Sequence, residues 1–253
     1  MPSDADRPRA PLDLDRVLEP IVRELVAEGA AAVVLAGSHA RGEAGELSDV
    51  DLYAIGNGPH YTLRAANGLL LSLSWRTATE ERDALRRPAS VGGAVPGWRG
   101  ARILHDRTGA AAALQAEAHA FDWSTIAFEC DAWVAEQVTG YAEEVLKLVA
   151  ARRAADLQVA AVQRSILALR LPIVMAVHHR LLYDSEKRLW SLVAQAAGER
   201  WATAQRQALG LDHTSESDEA ALTLYRFAAE ASGHLLSDGQ RKVIELALRA
   251  ATA

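Results

Sequence analysis

Residues able to do chemistry concentrate in one stretch, A-G-S-H-A-R-G-E-A-G-E-L-S-D-V-D-L, from Ala36 to Leu52. Asp49 and Asp51 stand at the start of an apolar run that ends near Ile55. Alternate residues of a strand share a face, so D-x-D sets two carboxylates side by side. Two like charges held that close call for a cation, and oxygen-only ligands favour magnesium. Upstream, the hydrophobic run Ala31 to Ala36 leads into Gly37-Ser38. That turn offers backbone N–H groups and a hydroxyl at a helix start, a setting suited to phosphate. A phosphate grip beside a magnesium pair points to nucleotide chemistry. The plainer alternative is an ordinary loop with two solvated acids at a strand start.

These residues need elements to position them. Leu18, Ile21, Val22 and Leu25 have the spacing of an amphipathic helix over Leu14 to Glu28, closed by Gly29. Strands are expected into Gly37 and over Val50 to Ile55. Asn67-Gly68 between two extended runs is a strong hairpin signal. A short helix should follow over Thr79 to Arg86, capped by Thr77 or Thr79. The Gly- and Pro-rich stretch Pro88 to Gly100 reads as a loop, which would leave Trp98 free to cover a ligand. Arg99 and Arg102 nearby could serve phosphate or merely solvate that loop. Ala101 to His105 reads as a last strand, followed by a helix from about Ala110 to Ala120. Beyond Asp122 strand signals disappear, and helices are expected over Ser124 to Ala150, Asp156 to Leu182, Ser185 to Ala197, Ser215 to Ala231 and Asp238 to Ala251. Pro172 should kink or split the second of these. The expected plan is a disordered tail over 1–12, an α/β domain over 13–121 and a helical domain over 122–253.

Bulk properties narrow the field. The 253 residues are 50% hydrophobic, enough for a sizeable core. No uninterrupted apolar run approaches the roughly 18 to 20 residues of a membrane span, and the polar, Pro-rich start lacks the pattern of a secretion signal. Cys130 is the single cysteine, which excludes an internal disulfide and a cysteine-cluster zinc site and fits a reducing cytoplasm. A formal charge of −6 argues against bulk nucleic-acid binding and suits a cationic small molecule. No nucleic-acid or membrane partner is expected, and no internal repeat is evident.

The string G-S-x-A-R-G followed by S-D-x-D-L resembles the polymerase-β-like nucleotidyltransferase superfamily. Further motifs are A-V-H-H-R-L-L-Y at Ala176 to Tyr183, E-Q-V-T-G-Y-A at Glu136 to Ala142 and L-S-D at Leu236 to Asp238. With these, the chain looks similar to the kanamycin (aminoglycoside 4′-O-) nucleotidyltransferase family. The resemblance implies an α+β fold, with an N-terminal mixed sheet flanked by helices and then an all-helical bundle. It also implies a homodimer with active sites between subunits. Transfer of a nucleoside monophosphate from a magnesium-bound triphosphate, ATP above others, to a hydroxyl of an aminoglycoside-like acceptor would be the activity. Carried over by position, Gly37, Ser38, Arg41 and Ser48 would bind the nucleotide, Asp49 and Asp51 the Mg2+, and Glu136 the acceptor.

Three positions depart from the family pattern. The expected base is a glutamate where this chain has Gly140, a third acid falls where Ser72 or Ser74 stands, and a basic residue is replaced by Glu143 or Glu144 with Lys147 one turn on. Glu143, at i+7 from Glu136 on one helix face, is the best substitute base. A base typically contributes about 10² to 10⁴-fold, so its loss slows transfer without abolishing nucleotide binding. This motivates an alternative: a catalytically altered relative that binds a nucleotide or other ligand for another reaction or for regulation. A third reading, a toxin–antitoxin nucleotidyltransferase that modifies a protein, fits the N-terminal string but not the attached helical half. Glu80, Glu81 and Asp83 read as a solvated helix N-terminus. His178 and His179 read as core residues rather than ligands.

Overall fold

The computed structural model describes residues 13–212 and 216–252. The tail over 1–12 and the start of a helix at Ser215 lie outside the described residues. The chain divides into two compact units, one over 1–83 and 97–119, the other over 84–96 and 120–253.

The first unit is built on a five-stranded sheet in the order β3-β4-β2-β1-β5. The strands are β1 (Ala32–Leu35), β2 (Val50–Ile55), β3 (Tyr61–Ala66), β4 (Leu69–Arg76) and β5 (Arg102–Asp106). Only β2 and β4 pair in parallel, so the sheet is mixed. The β3–β4 turn places Asn67 and Gly68 at φ 51° and 77°, the positive angles of the type I′ hairpin foreseen from the pair. Helix α1 (Leu14–Ala27) is capped by the Asp13 carboxylate, which accepts from the Arg16 amide at 3.2 Å. Its apolar face, centred on Leu18 and Leu25, packs on one side of the sheet against Leu52, Ala54, Leu71, Leu73 and Trp75. Burial of Val50, Leu52 and Ala54 sends the alternate residues Asp51 and Tyr53 to the other side. On β4 the same alternation buries Leu71, Leu73 and Trp75 and sends Ser72, Ser74 and Arg76 to that second face.

Around the sheet lie α2 (Gly37–Arg41), α3 (Ala78–Ala84) and α5 (Ala110–Ala120). Thr77 caps α3 in a reciprocal box: the Glu80 amide donates to its Oγ1 at 3.2 Å, and its own amide donates to Glu80 Oε2 at 2.7 Å.

The stretch over 88–99 is not a loop but helix α4 (Pro88–Arg99). Low intrinsic propensity is overridden by packing. The ring of Tyr183 sits on Gly92 and Gly93, where an added Cβ would meet it at 2.7 and 3.3 Å, and the Tyr183 amide donates to the Gly92 carbonyl at 2.8 Å. Pro88 takes the first helical position, where its missing N–H costs nothing. Trp98, expected free, is 1% exposed.

The second unit is helical: α6 (Ala127–Gly140), α7 (Ala142–Arg153), α8 (Leu157–His178), α9 (Glu186–Ala197), α10 (Glu199–Ala208), α11 (Ser217–Ala231) and α12 (Asp238–Thr252). The single helix expected over 124–150 is a 3-10 turn and two helices, broken at Tyr141 just after Gly140. Pro172 does not split α8, which runs unbroken for 22 residues. The proline is buried with Leu167, Leu171 and Met175, and packing against α6, α7, α9, α10 and α11 holds the helix through it. Among the described residues α8 alone is long and apolar enough to cross a membrane, and it supplies the core of this unit. Helix α10 went unforeseen. Its polar segment is held by Trp201, which meets Phe227 of α11 edge-on at 5.5 Å. Ser237 caps α12, exchanging hydrogen bonds with Gln240 at 2.9 and 3.4 Å.

Candidate functional site

The G-S turn and the two acids meet at the end of β1 and the start of β2. Gly37 has φ 64°, and a Cβ there would lie 2.0 Å from Asp51 Oδ2. Only glycine fits, because the carboxylate occupies the space a side chain would take. The Ala36 amide donates to the Asp51 carbonyl at 2.9 Å, fixing the turn to the strand. Helix α2 then ends in a Schellman arrangement. Gly42, at φ 71°, donates to the His39 carbonyl, and the Glu43 amide to the Ser38 carbonyl at 2.9 Å.

Asp49 lies one residue before β2 and Asp51 within it, both partly buried. Burial first, and then the neighbouring charge of Asp49, push the Asp51 carboxyl above its ordinary range; a hydrogen bond from Ser72 and the charges of His39 and Arg41 draw it back. The folded chain thus holds a carboxylate that would be more comfortable protonated or beside a cation. A divalent cation bound by one or two carboxylates, with water and phosphate oxygens completing its shell, suits this oxygen-only set. Among the described residues no group of three or more His, Cys, Asp or Glu makes a fuller cage.

Ser48 shapes the loop that delivers Asp49. Its Oγ accepts from the Gly45 amide at 2.9 Å, and its carbonyl lies 3.4 Å from His39 Nε2. Arg41 is held by Glu43 at 2.9 Å. Ser72, rather than Ser74, is the residue directly opposite Asp51 on the parallel neighbour, and its Oγ lies 3.3 Å from the Tyr61 hydroxyl, within hydrogen-bond distance. Ser74 lies opposite Tyr53.

Sequence reasoning missed a buried network on the same sheet face. Glu81 is 5% exposed. It accepts from Trp98 Nε1 at 2.8 Å and pairs with Arg76 at 3.4 Å. The Tyr53 and Trp98 rings lie 6.2 Å apart. Burial, with the charges of Glu81 and Asp51, pushes the Tyr53 phenol up to about 12. The expectation of a solvated acidic helix start holds for Glu80 and fails for Glu81. The clue was the T-x-x-E box at Thr77: it occupies Glu80 in capping and turns the next residue elsewhere.

Glu136 and Glu143 belong to the helical unit. Both are exposed, and they stand on α6 and α7, on either side of the break at Tyr141, so the i+7 face of one continuous helix does not exist. Glu143 pairs with Lys147 at 2.9 Å. At Gly140 an added Cβ would meet nothing within 4 Å. His178 and His179 close α8, ring centroids 4.9 Å apart, and burial lowers the pKa of each.

Residues 16–89 match the family model of the nucleotidyltransferase domain, a span that holds the G-S turn and both acids. That match supports nucleotidyl transfer, from a nucleotide substrate, as the general chemistry of this segment. The crystal structure of a nucleotidyltransferase-like protein from Exiguobacterium sibiricum 255-15 is similar in fold. The TM-score is 0.54 at 13% identity, covering 87% of this chain and 75% of that one. No curated protein matches the chain in sequence.

Proposed function

We propose that the protein is a magnesium-dependent nucleotidyltransferase moving a nucleoside monophosphate, from ATP above other triphosphates, to a hydroxyl of a small, aminoglycoside-like molecule. The observation that carries this reading is the seating of the Asp51 carboxylate against Gly37, with burial and then the charge of Asp49 raising its proton affinity. A phosphate-binding turn and a cation-seeking pair share one place. The Mg2+ held there by Asp49 and Asp51 would neutralise charge on the phosphates as the transfer proceeds. Gly37 and Ser38 offer backbone and hydroxyl donors to phosphate, and Arg41 a planar pair of donors. In the transfer, the acceptor hydroxyl oxygen bonds to the α-phosphorus while the bond to the β-phosphate oxygen breaks. Pyrophosphate leaves and the hydroxyl proton passes to Glu143, with Glu136 assigned to the acceptor.

Ser72 opposite Asp51 favours a second reading, a nucleotide-binding relative with altered or lost transfer, because a hydroxyl stands where a third acid is expected. Titration of each nucleoside triphosphate with magnesium into wild type and into the Asp49→Asn/Asp51→Asn variant tests the shared premise. Magnesium-dependent binding lost in the variant supports a live triphosphate site, and equal heats from both proteins remove it. Pyrophosphate release with a panel of aminoglycosides and amino sugars then separates transfer from binding alone.

A further inference from the structure

The sheet face that carries Asp51 is covered unevenly. Around Tyr53 it is closed, with the Trp98 ring 6.2 Å away and Glu81 buried. On the β3–β4 hairpin it is bare. Strand register fixes which hairpin side chains share this face. Leu63 lies opposite Ser72, and Ser72 opposite Asp51, so the three form one row across β3, β4 and β2. Tyr61, Ser74 and Tyr53 form the row on one side of it, and Ala65 with Leu70 the row on the other. The alternate residues of β3 turn to the α1 side, Arg64 reaching Glu24 at 2.7 Å and Ala66 packing on the core there. Tyr61, Leu63 and Leu70 stand about half exposed, with Ala65 exposed beside them. These four make an apolar shelf without a charged side chain. The Tyr61 hydroxyl, 3.3 Å from Ser72 Oγ, joins its near edge to the row that ends at Asp51.

We infer that this shelf holds the acceptor, with Tyr61, Leu63 and Leu70 selecting a hydroxylated ring that has an apolar face or arm over one that is polar on every side. Geometry commits the shelf to the acceptor. The G-S turn follows β1 on one side of Asp51, and β4 and then β3 lie on the other. In phosphoryl transfer the attacking and leaving oxygens lie roughly in line through phosphorus. With the phosphates at the turn, pyrophosphate leaves on the β1 side. The acceptor hydroxyl then approaches over Ser72, and the rest of the molecule comes to lie on Leu63 and its neighbours. No carboxylate stands among these side chains to receive an amine, so affinity there comes from removing carbon surface from water. Ser72 and the Tyr61 hydroxyl supply the few polar contacts that orient a ligand in a mostly apolar site. The placement of the reacting hydroxyl rests on the transfer reading proposed above; the preference for an apolar ligand stands on the shelf alone.

The test is calorimetric titration of two probes that differ only in their arm, the phenyl and methyl β-glycosides of glucosamine, into wild type, Leu63→Thr and Leu70→Thr. Threonine suits a half-exposed strand, so both variants should fold. Wild type should bind the phenyl glycoside about tenfold more tightly than the methyl, the gain from burying part of an aromatic ring. That ratio should fall to about twofold in Leu63→Thr, where apolar surface is lost, and by less in Leu70→Thr. Equal affinities for the two probes in wild type overturn the inference, as does wild type that binds neither, or a ratio untouched by both substitutions. Should Leu63→Thr fail to fold, the ratio in Leu70→Thr decides. Light scattering on the same proteins reads the rival occupant. A wild-type dimer that Leu63→Thr makes monomeric, with the probe ratio unmoved, turns the shelf into an interface between copies and also overturns the inference. Pyrophosphate release from ATP with the same probes keeps the two readings apart. Tighter phenyl binding without pyrophosphate sinks the transfer reading and leaves the shelf standing, whereas release with equal KM for both probes does the reverse.

Discussion

Asp51 and Glu143 are carboxylates under opposite conditions, one in each unit. Asp51 is set in a strand, jammed against Gly37, partly stripped of water and faced by Asp49. Glu143 is 72% exposed in the first turn of α7, with Lys147 one turn away. The first arrangement costs the folded state and makes sense if a cation offsets it. The second costs nothing, since acids are welcome at a helix start and an exposed pair contributes little. The difference separates a place committed by architecture from a surface where one side chain can be exchanged for another.

Substitutions can break or sharpen that contrast. Gly37→Ala should do most, forcing a side chain onto the Asp51 carboxylate at a left-handed φ. We expect roughly 1–3 kcal/mol of lost stability by thermal denaturation. Magnesium-dependent nucleotide binding should also be weaker by about 10²-fold, as for a catalytic group displaced by an ångström. Wild-type binding in this variant would show that the carboxylate is not held where we place it. Next comes Trp98→Phe, which keeps the ring in the core but removes the donor to buried Glu81. Urea denaturation should report about 1–3 kcal/mol of destabilisation, the cost of an unsatisfied buried acceptor. A neutral result would mean that Glu81 finds another donor. Smallest in stability are Glu143→Gln and Gly140→Glu, each within about 0.5 kcal/mol as exposed changes usually are. Their pyrophosphate-release rates should nevertheless move apart, slower for the first and faster for the second. Identical rates would take both positions out of the chemistry.

The site's first half was legible because its signals are local. Asp49, Asp51, Gly37 and the Asn67-Gly68 turn each act through geometry within a few residues, and the capping boxes at Thr77 and Ser237 are read the same way. What escaped depends on contacts distant in sequence. Gly92 and Gly93 look like loop residues until Tyr183 is seen resting on them, and Trp98 looks free until Glu81 accepts its N–H. Pro172 breaks helices in isolation, yet burial on many sides carries α8 through it without interruption. The break at Tyr141 did have a local signal, since Gly140 ends α6, but that glycine was read only as a missing base. Arg102 was noticed but could not be told from Arg99 without the register that places it beside Leu35.

The interleaving of the two units bears on how the chain is made. Strand β1 has its second neighbour, β5, only after residues 84–96, which belong with the helices, have been synthesised. Until then a nascent chain on the ribosome carries β1 with one bare edge, open to mispairing with another polypeptide.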